Sequence, residues 1–293
     1  MGSIKINKLT KNYGKNRGIN NIELEINNGE IYGFIGPNGA GKSTTIKTLL
    51  NFIFPTSGSA EILNKDIVKE SKEIKEFTSY VSSEVRYYSE VKVKDLLNYA
   101  ASFFKEYNKE YVKELCDELE VELDKKIGEL SLGNKKKVAI VQALLSNPKV
   151  IILDEPTNGL DPLIQQKLFK ILLNEKSKGK TIFLSSHNLT EVEKFCDRVA
   201  VIKDGQIVDI LNLKNINRDL GQRVILKSNN IDIKRIEEIS DNIKIVDGEI
   251  QFIYKGNVNE LINILSKYNL EKLLIEEVNL EETFLNYYEG DAK

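Results

Sequence analysis

One stretch constrains this chain more than any other: Gly36-Pro37-Asn38-Gly39-Ala40-Gly41-Lys42-Ser43-Thr44. It fits the phosphate-loop pattern of a glycine, four residues, then Gly-Lys-Ser, and it lies between the apolar run 31–35 and a helix-like run 45–52. Glycines let the backbone curl until successive N–H groups point inward at phosphate oxygens, and the helix behind the loop aims its positive end at the same anion. Lys42 would then reach β- and γ-phosphates as a compact cation, while the Ser43 hydroxyl would ligate a bridging magnesium ion. Asn38, Gly39, Ala40, Gly41 and Thr44 complete the cradle. A chance glycine-rich turn does not account for a loop with every position filled and a strand and a helix on either side.

The chain has 293 residues, enough for one α/β domain with a sizeable core and a smaller appendage. Its 42 basic and 44 acidic residues leave a formal net charge of -2, whereas a nucleic-acid binder is usually basic. Cys116 and Cys196 lie far apart without CxxC spacing, and the chain has one histidine. A disulfide framework or zinc site is therefore not expected; buried thiols in a reducing compartment are. No stretch approaches the roughly 20 consecutive apolar residues of a membrane span, and the first residues lack the apolar core of a signal peptide. The expectation is a soluble chain.

Residues 3–9 and 22–26 alternate apolar and polar side chains, as half-buried strands near a sheet edge do. Tyr13, between them, either stacks on an adenine above the phosphate loop or simply packs. A short strand at 60–63, a helix at 71–76 and a strand at 78–81 follow. Apolar residues at three- and four-residue spacing predict amphipathic helices at 93–107 and 110–121, within a helical insertion spanning about 84–130.

The run Val150-Ile151-Ile152-Leu153 suits a strand buried on both faces of a parallel sheet, and it ends on Asp154 and Glu155. Asp154 would hold the magnesium, directly or through water, and Glu155 would act as general base on the attacking water or orient it. Two acids capping the next helix is the weaker alternative, since Pro156 follows. Ser131 caps a helix running through Val138, Val141 and Leu145; a serine hydroxyl and free N–H groups at a helix start can bind an anion, although alone this is merely a capped helix. Lys135-Lys136-Lys137 reads as a solvated face. A buried strand at 181–185 ends next to His187, at the strand edge where ligands bind in open α/β sheets, and a γ-phosphate contact is the favoured role for that histidine.

In this order the motifs resemble the ATPase subunit of an ATP-binding cassette (ABC) transporter. The phosphate loop, Leu130-Ser131-Leu132-Gly133-Asn134 as signature, the strand ending in Asp154-Glu155, Asn158-Gly159-Leu160-Asp161 as D-loop and His187 as switch histidine cover residues from about 3 to 212. The resemblance implies a composite site, in which Ser131 and Gly133 donate hydrogen bonds to the γ-phosphate of an ATP held by a second cassette. It implies ATP and magnesium as ligands, and pairing with a second ATPase subunit, most simply a homodimer. It also implies a separately encoded transmembrane permease docked on the helical insertion, a peripheral place at the cytoplasmic face of the membrane, and no nucleic-acid partner.

Two positions depart from the family pattern. Leu132 fills the first glycine position of the signature, as in bacterial drug, lantibiotic and bacitracin-type efflux ATPases, so export of a small hydrophobic compound, drug or peptide is expected. Ser83 stands where a glutamine, or in the efflux branch a glutamate, contacts magnesium and water; either a water fills the gap or Glu84 takes over, and Ser83 stays a candidate metal neighbour. A soluble cassette acting on ribosomes or DNA is disfavoured, because such proteins usually carry two cassettes or long coiled coils. A regulatory module that holds ATP with little turnover has only Ser83 in its support.

Strands at 198–202 and 206–210 flank Asp204-Gly205, a hairpin signal. The cassette is expected over 1–212, a linker helix over 213–222 and an accessory α+β domain over 223–293. Strands at 223–227, 243–247, 250–254 and 271–276 with helices at 232–239 and 257–268 give a β-α-β-β-α-β, ferredoxin-like order, with Asp247-Gly248 at its hairpin. The segment 279–285 is similar to the Leu-Glu-Glu-x-Phe ending of efflux ATPases. The predicted fold class is thus an α/β phosphate-loop cassette with an antiparallel β edge subdomain, a helical insertion and a small C-terminal α+β domain.

Overall fold

Three segments with no polar alternation form the centre of the larger sheet. Strands β3 (Ile31–Ile35), β7 (Val150–Asp154) and β8 (Thr181–Ser186) are buried at every position, as strands covered on both faces must be. They pair in parallel, with Ile31 opposite Ile182 and Val150 opposite Thr181. With β6 (Thr78–Val81), β9 (Arg198–Lys203) and β10 (Gln206–Asn212) they make a six-stranded sheet in the order β10-β9-β3-β8-β7-β6. The computed structural model describes residues 2–14, 16–104, 107–213 and 221–277. The chain divides into two compact units, Met1–Ile210 and Leu211–Lys293.

The first unit has a second, antiparallel sheet in the order β2-β1-β4-β5, built from β1 (Gly2–Tyr13), β2 (Asn16–Asn27), β4 (Ser57–Ile62) and β5 (Lys65–Asp66). Strand β1 outruns its apolar alternation because backbone pairing continues through Lys11 opposite Ile19 and Tyr13 opposite Asn16. Helix α1 (Lys42–Leu49) contributes Ile46 and Leu49 to the same core as Ile4, Ile6 and Ile26 of one sheet and Phe34, Ile152 and Phe183 of the other. It starts earlier than the pattern 45–52 suggests, since Gly41 takes the left-handed cap position with φ 111°.

After α2 (Ser71–Phe77) and β6, the insertion carries α3 (Val93–Ala101) and α4 (Lys109–Glu118). Both end short of the expected 107 and 121. The chain turns at Ser102, leaving Phe103 exposed, and Glu120 at φ 55° stops α4. Helices α5 (Leu132–Leu145), α6 (Pro162–Ser177) and α7 (Leu189–Phe195) complete the unit. Cys116 and Cys196 are free and buried; burial pushes the Cys116 thiol up to about 11 and raises that of Cys196 as well. No helix among the described residues is long and apolar enough to cross a membrane.

The second unit contains β11 (Gln222–Ser228), α8 (Ile233–Glu237), β12 (Asp241–Val246), β13 (Glu249–Tyr254), α9 (Val258–Leu265) and β14 (Leu270–Glu277). Its sheet runs β12-β13-β11-β14 with every neighbour antiparallel. Asp247 and Gly248 both take positive φ, 51° and 78°, in the two-residue turn that reverses the chain. Val224, Leu226, Phe252, Leu261 and Leu265 form its core. Most of the expected linker helix 213–222, and the segment 279–285, lie outside the described residues.

Candidate nucleotide site

The phosphate loop leaves β3 and winds into α1 with Gly39 at φ 82° and Gly41 at φ 111°, conformations that a side chain would strain. Asn38, Gly39, Gly41, Lys42, Ser43 and Thr44 line a pocket of about 370 Å³, joined by Ser83, Glu84 and Glu155 from across the sheet edge. Ala40 instead faces the core, its carbonyl accepting a bond from the Gly205 N–H at 2.9 Å. Gly18 and Asn158 also line the pocket, and neither stood out as a wall residue in the sequence. Tyr13, 45% exposed at the end of β1 with the Lys11 ammonium 5.3 Å from its ring centre, does not line it.

Lys42 is buried. Its ammonium donates to the carbonyls of Gly36 at 2.6 Å and Pro37 at 3.3 Å and lies 3.2 Å from Glu155 Oε1. The other carboxylate oxygen of Glu155 is 2.6 Å from His187 Nδ1. An ionised carboxylate only accepts, so the Nδ1–H tautomer donates here. Glu155 thus bridges the phosphate-loop lysine and the chain's single histidine, at the end of β7 where it sits in the left-handed region with φ 50°. Such a conformation costs about 1–3 kcal/mol and persists only where neighbours hold it. Here the Glu155 N–H is held by the hydroxyl of Ser185 at 3.0 Å and by its carbonyl at 3.2 Å.

Asp154 is fully buried. Its Oδ1 accepts the Ser185 hydroxyl at 2.6 Å, while Oδ2 has no hydrogen-bond partner among the described residues. An unpartnered buried carboxylate oxygen is costly, and a hard cation or its water shell is a natural complement. Beside the site Glu191, buried on α7, accepts the Thr157 hydroxyl at 3.0 Å, and burial pushes its carboxyl above the usual range.

The lysine run behaves differently from its expectation as a solvated face. Lys136 is 3% exposed and Lys137 is buried as well. The ammonium of Lys136 donates to the carbonyls of Ser82 at 2.7 Å, Ser83 at 2.8 Å and Glu155 at 3.4 Å. Burial lowers its pKa, opposed by the nearby charges of Asp154 and Glu155. Composition could not reveal this, because the loop and strand end that cover the lysine are distant in sequence.

Ser131 caps α5 by accepting the Asn134 N–H at 3.2 Å, and it lies exposed. Leu132 beside it is 77% exposed. Gly133 is packed so tightly on the carbonyl of Gly159 that a Cβ would collide with it. The start of α5 therefore presents a cap and an apolar side chain outward from a rigid glycine contact.

A phosphate loop whose lysine meets a strand-end glutamate backed by a histidine, on a largely parallel sheet, defines a phosphate-loop nucleotide hydrolase. The sequence profile described as "ABC transporter" matches residues 19–158, and one described as "AAA domain, putative AbiEii toxin, Type IV TA system" overlaps it at 126–193. The bacitracin transport ATP-binding protein BcrA of Bacillus licheniformis is 33% identical, over 98% of this chain and 97% of its own. The lantibiotic transport ATP-binding protein SrtF of Streptococcus pyogenes is 37% identical, over 70% of this chain and 89% of its own. A dimeric ATP-binding cassette in a post-hydrolysis state, bound to ADP and Pi, superposes with a TM-score of 0.63 at 26% identity, covering 72% of this chain and 98% of that one. The chain belongs to the ABC transporter family, as an ATP-binding and ATP-hydrolysing subunit.

Proposed function

We propose that this chain hydrolyses magnesium-bound ATP as one of two identical cassettes and so drives export of a peptide or small hydrophobic compound through a separately encoded membrane subunit. One observation carries the chemistry: the Glu155 carboxylate is held at once by Lys42 and His187 at the wall of the phosphate pocket. Phosphate oxygens of ATP take over the Lys42 ammonium, which releases Glu155 to accept a proton from water. The water oxygen bonds to the γ-phosphorus as the bond to the β–γ bridging oxygen breaks, and ADP and phosphate leave. His187 orients the carboxylate and stabilises charge on the γ-phosphoryl group. Ser43 and the free Oδ2 of Asp154 would hold magnesium, with Ser83 as a further neighbour; Glu84 is engaged with Arg86 at 2.7 Å on the surface. The ion neutralises charge on the β- and γ-phosphates when bound.

Ser131 and Gly133 close over the ATP of the second cassette, a reading supported by the exposed place of the Ser131 cap at the start of α5, two residues before the buried Gly133, and by the dimeric relative. The bacitracin and lantibiotic relatives support a peptide cargo. A groove of about 930 Å³ on the insertion, lined by Tyr87, Tyr88, Tyr99, Phe103 and Phe104, supports docking on a membrane subunit at the cytoplasmic face.

The purified chain should release phosphate from ATP in magnesium buffer and lose that turnover in EDTA. From membranes, it should co-purify with a multi-span protein. Turnover that persists in EDTA, or recovery with ribosomes in place of the membrane protein, would overturn this assignment.

A further inference from the structure

We propose that Lys136 is a positioning residue for hydrolysis, clamping the loop at Ser82–Ser83, the first turns of α5 and the backbone of Glu155 into one unit. The proposal rests on Glu155 acting as the base. An ammonium has three N–H donors, and all three of Lys136 have acceptors, two carbonyls in the loop after β6 and one at the end of β7. Buried charge is tolerated only when so partnered, and a lysine at the surface would serve helix α5 equally well if packing were the sole purpose. The third acceptor belongs to the strained residue. Glu155 keeps φ 50° with its N–H fixed by Ser185 and its carbonyl shared by Lys136 and the Asn158 N–H, each at 3.4 Å, so the lysine is one of the restraints on the backbone of the base and the one that links it to the loop.

The same loop is tied to α5 a second time, where the Tyr87 hydroxyl donates to Gln142 Oε1 at 2.7 Å. The aromatic groove borders this second tie, with Arg86, Tyr87 and Tyr88 in its lining. Ser83 is short, and its side chain makes no hydrogen bond to Glu155; the contact between this loop and the base runs through its carbonyl and the Lys136 ammonium. A partner seated in the groove that shifts residues 82–88 would therefore move Lys136 and, with it, the carbonyl of Glu155. In this chain the loop acts on the base through a lysine of the neighbouring helix.

Lys136→Met, tested in the full chain, should lower kcat at least tenfold while the dissociation constant of a fluorescent ATP analogue stays within threefold. Backbone amides at 82–84 should exchange hydrogen at least tenfold faster. Lys136→Arg, which keeps the charge and the donors, should restore more than half of kcat, and Lys136→Gln, if the Met variant does not fold, should fall between. Unchanged kcat in Lys136→Met, or nucleotide affinity falling in step with kcat in both the Met and the Arg variants, would overturn the proposal. Should the wild-type chain show no turnover, the hydrolysis reading fails with it, and unaltered exchange at 82–84 would then remove the clamp itself.

Discussion

The two units of this chain bury different things. The first encloses Lys42, Lys136, Asp154, Glu155, Glu175 and Glu191, whereas no charged side chain is buried among the described residues of the second. Isolated charge is expensive to remove from water, so each buried one must be partnered or held for a purpose. Glu175 illustrates the first case: Tyr111 donates to it at 2.8 Å, Lys178 at 2.6 Å, and Lys180 pairs with its other oxygen. Asp154 and Glu155 illustrate the second, with an unpartnered oxygen on one and a left-handed backbone on the other. Left-handed backbone and unpartnered neutral side-chain atoms also occur in the scaffold of both units, as at Leu63, Asp247, Tyr32 and Gln222; what sets the site apart among the described residues is a buried carboxylate oxygen without a partner, that of Asp154.

The largest expected effect falls on the site. Lys42→Ala removes a buried cation from the phosphate loop and should weaken ATP binding roughly 100-fold, the scale of a lost charged hydrogen bond, as read by equilibrium binding of a nucleotide analogue. Unchanged affinity would break the contrast, since the pocket would then hold nucleotide without its cation. A smaller and purely structural effect is expected in the second unit. Leu261→Ala, in a core of apolar residues only, should destabilise that unit by about 2–5 kcal/mol in urea unfolding and leave ATP turnover unaltered. Loss of turnover in this variant would give the second unit a part in catalysis that its apolar core does not suggest.

What was legible in the sequence was decided by neighbours along the chain. The phosphate loop, the Ser131 cap and the turns at Asp204-Gly205 and Asp247-Gly248 each depend on a few consecutive residues, and each takes the geometry its residues favour. The buried strands β7 and β8 were legible too, because unbroken apolar runs leave few alternatives. Lys136 was not. Whether a lysine meets water depends on what folds over it, and its partners Ser82 and Ser83 are 54 and 53 residues away. The Lys42–Glu155–His187 arrangement was visible as three candidates but not as one hydrogen-bonded set, for the same reason. Helix ends also escaped, since Phe103 continues the apolar spacing of α3 past the point where the backbone turns. The roles proposed for Ser131 and Gly133 depend on a second chain, and no single-chain pattern contains one.

Glu155 is proposed as the base of an ATP site completed by a second cassette. Glu155→Gln keeps the shape and hydrogen-bonding reach of the side chain but removes its capacity to take a proton. With ATP and magnesium it should bind nucleotide, show steady-state turnover reduced at least about 100-fold, the scale of losing a general base, and elute as a dimer on size exclusion with light scattering. Wild-type turnover in Glu155→Gln, or a monomer at saturating ATP, would contradict the account.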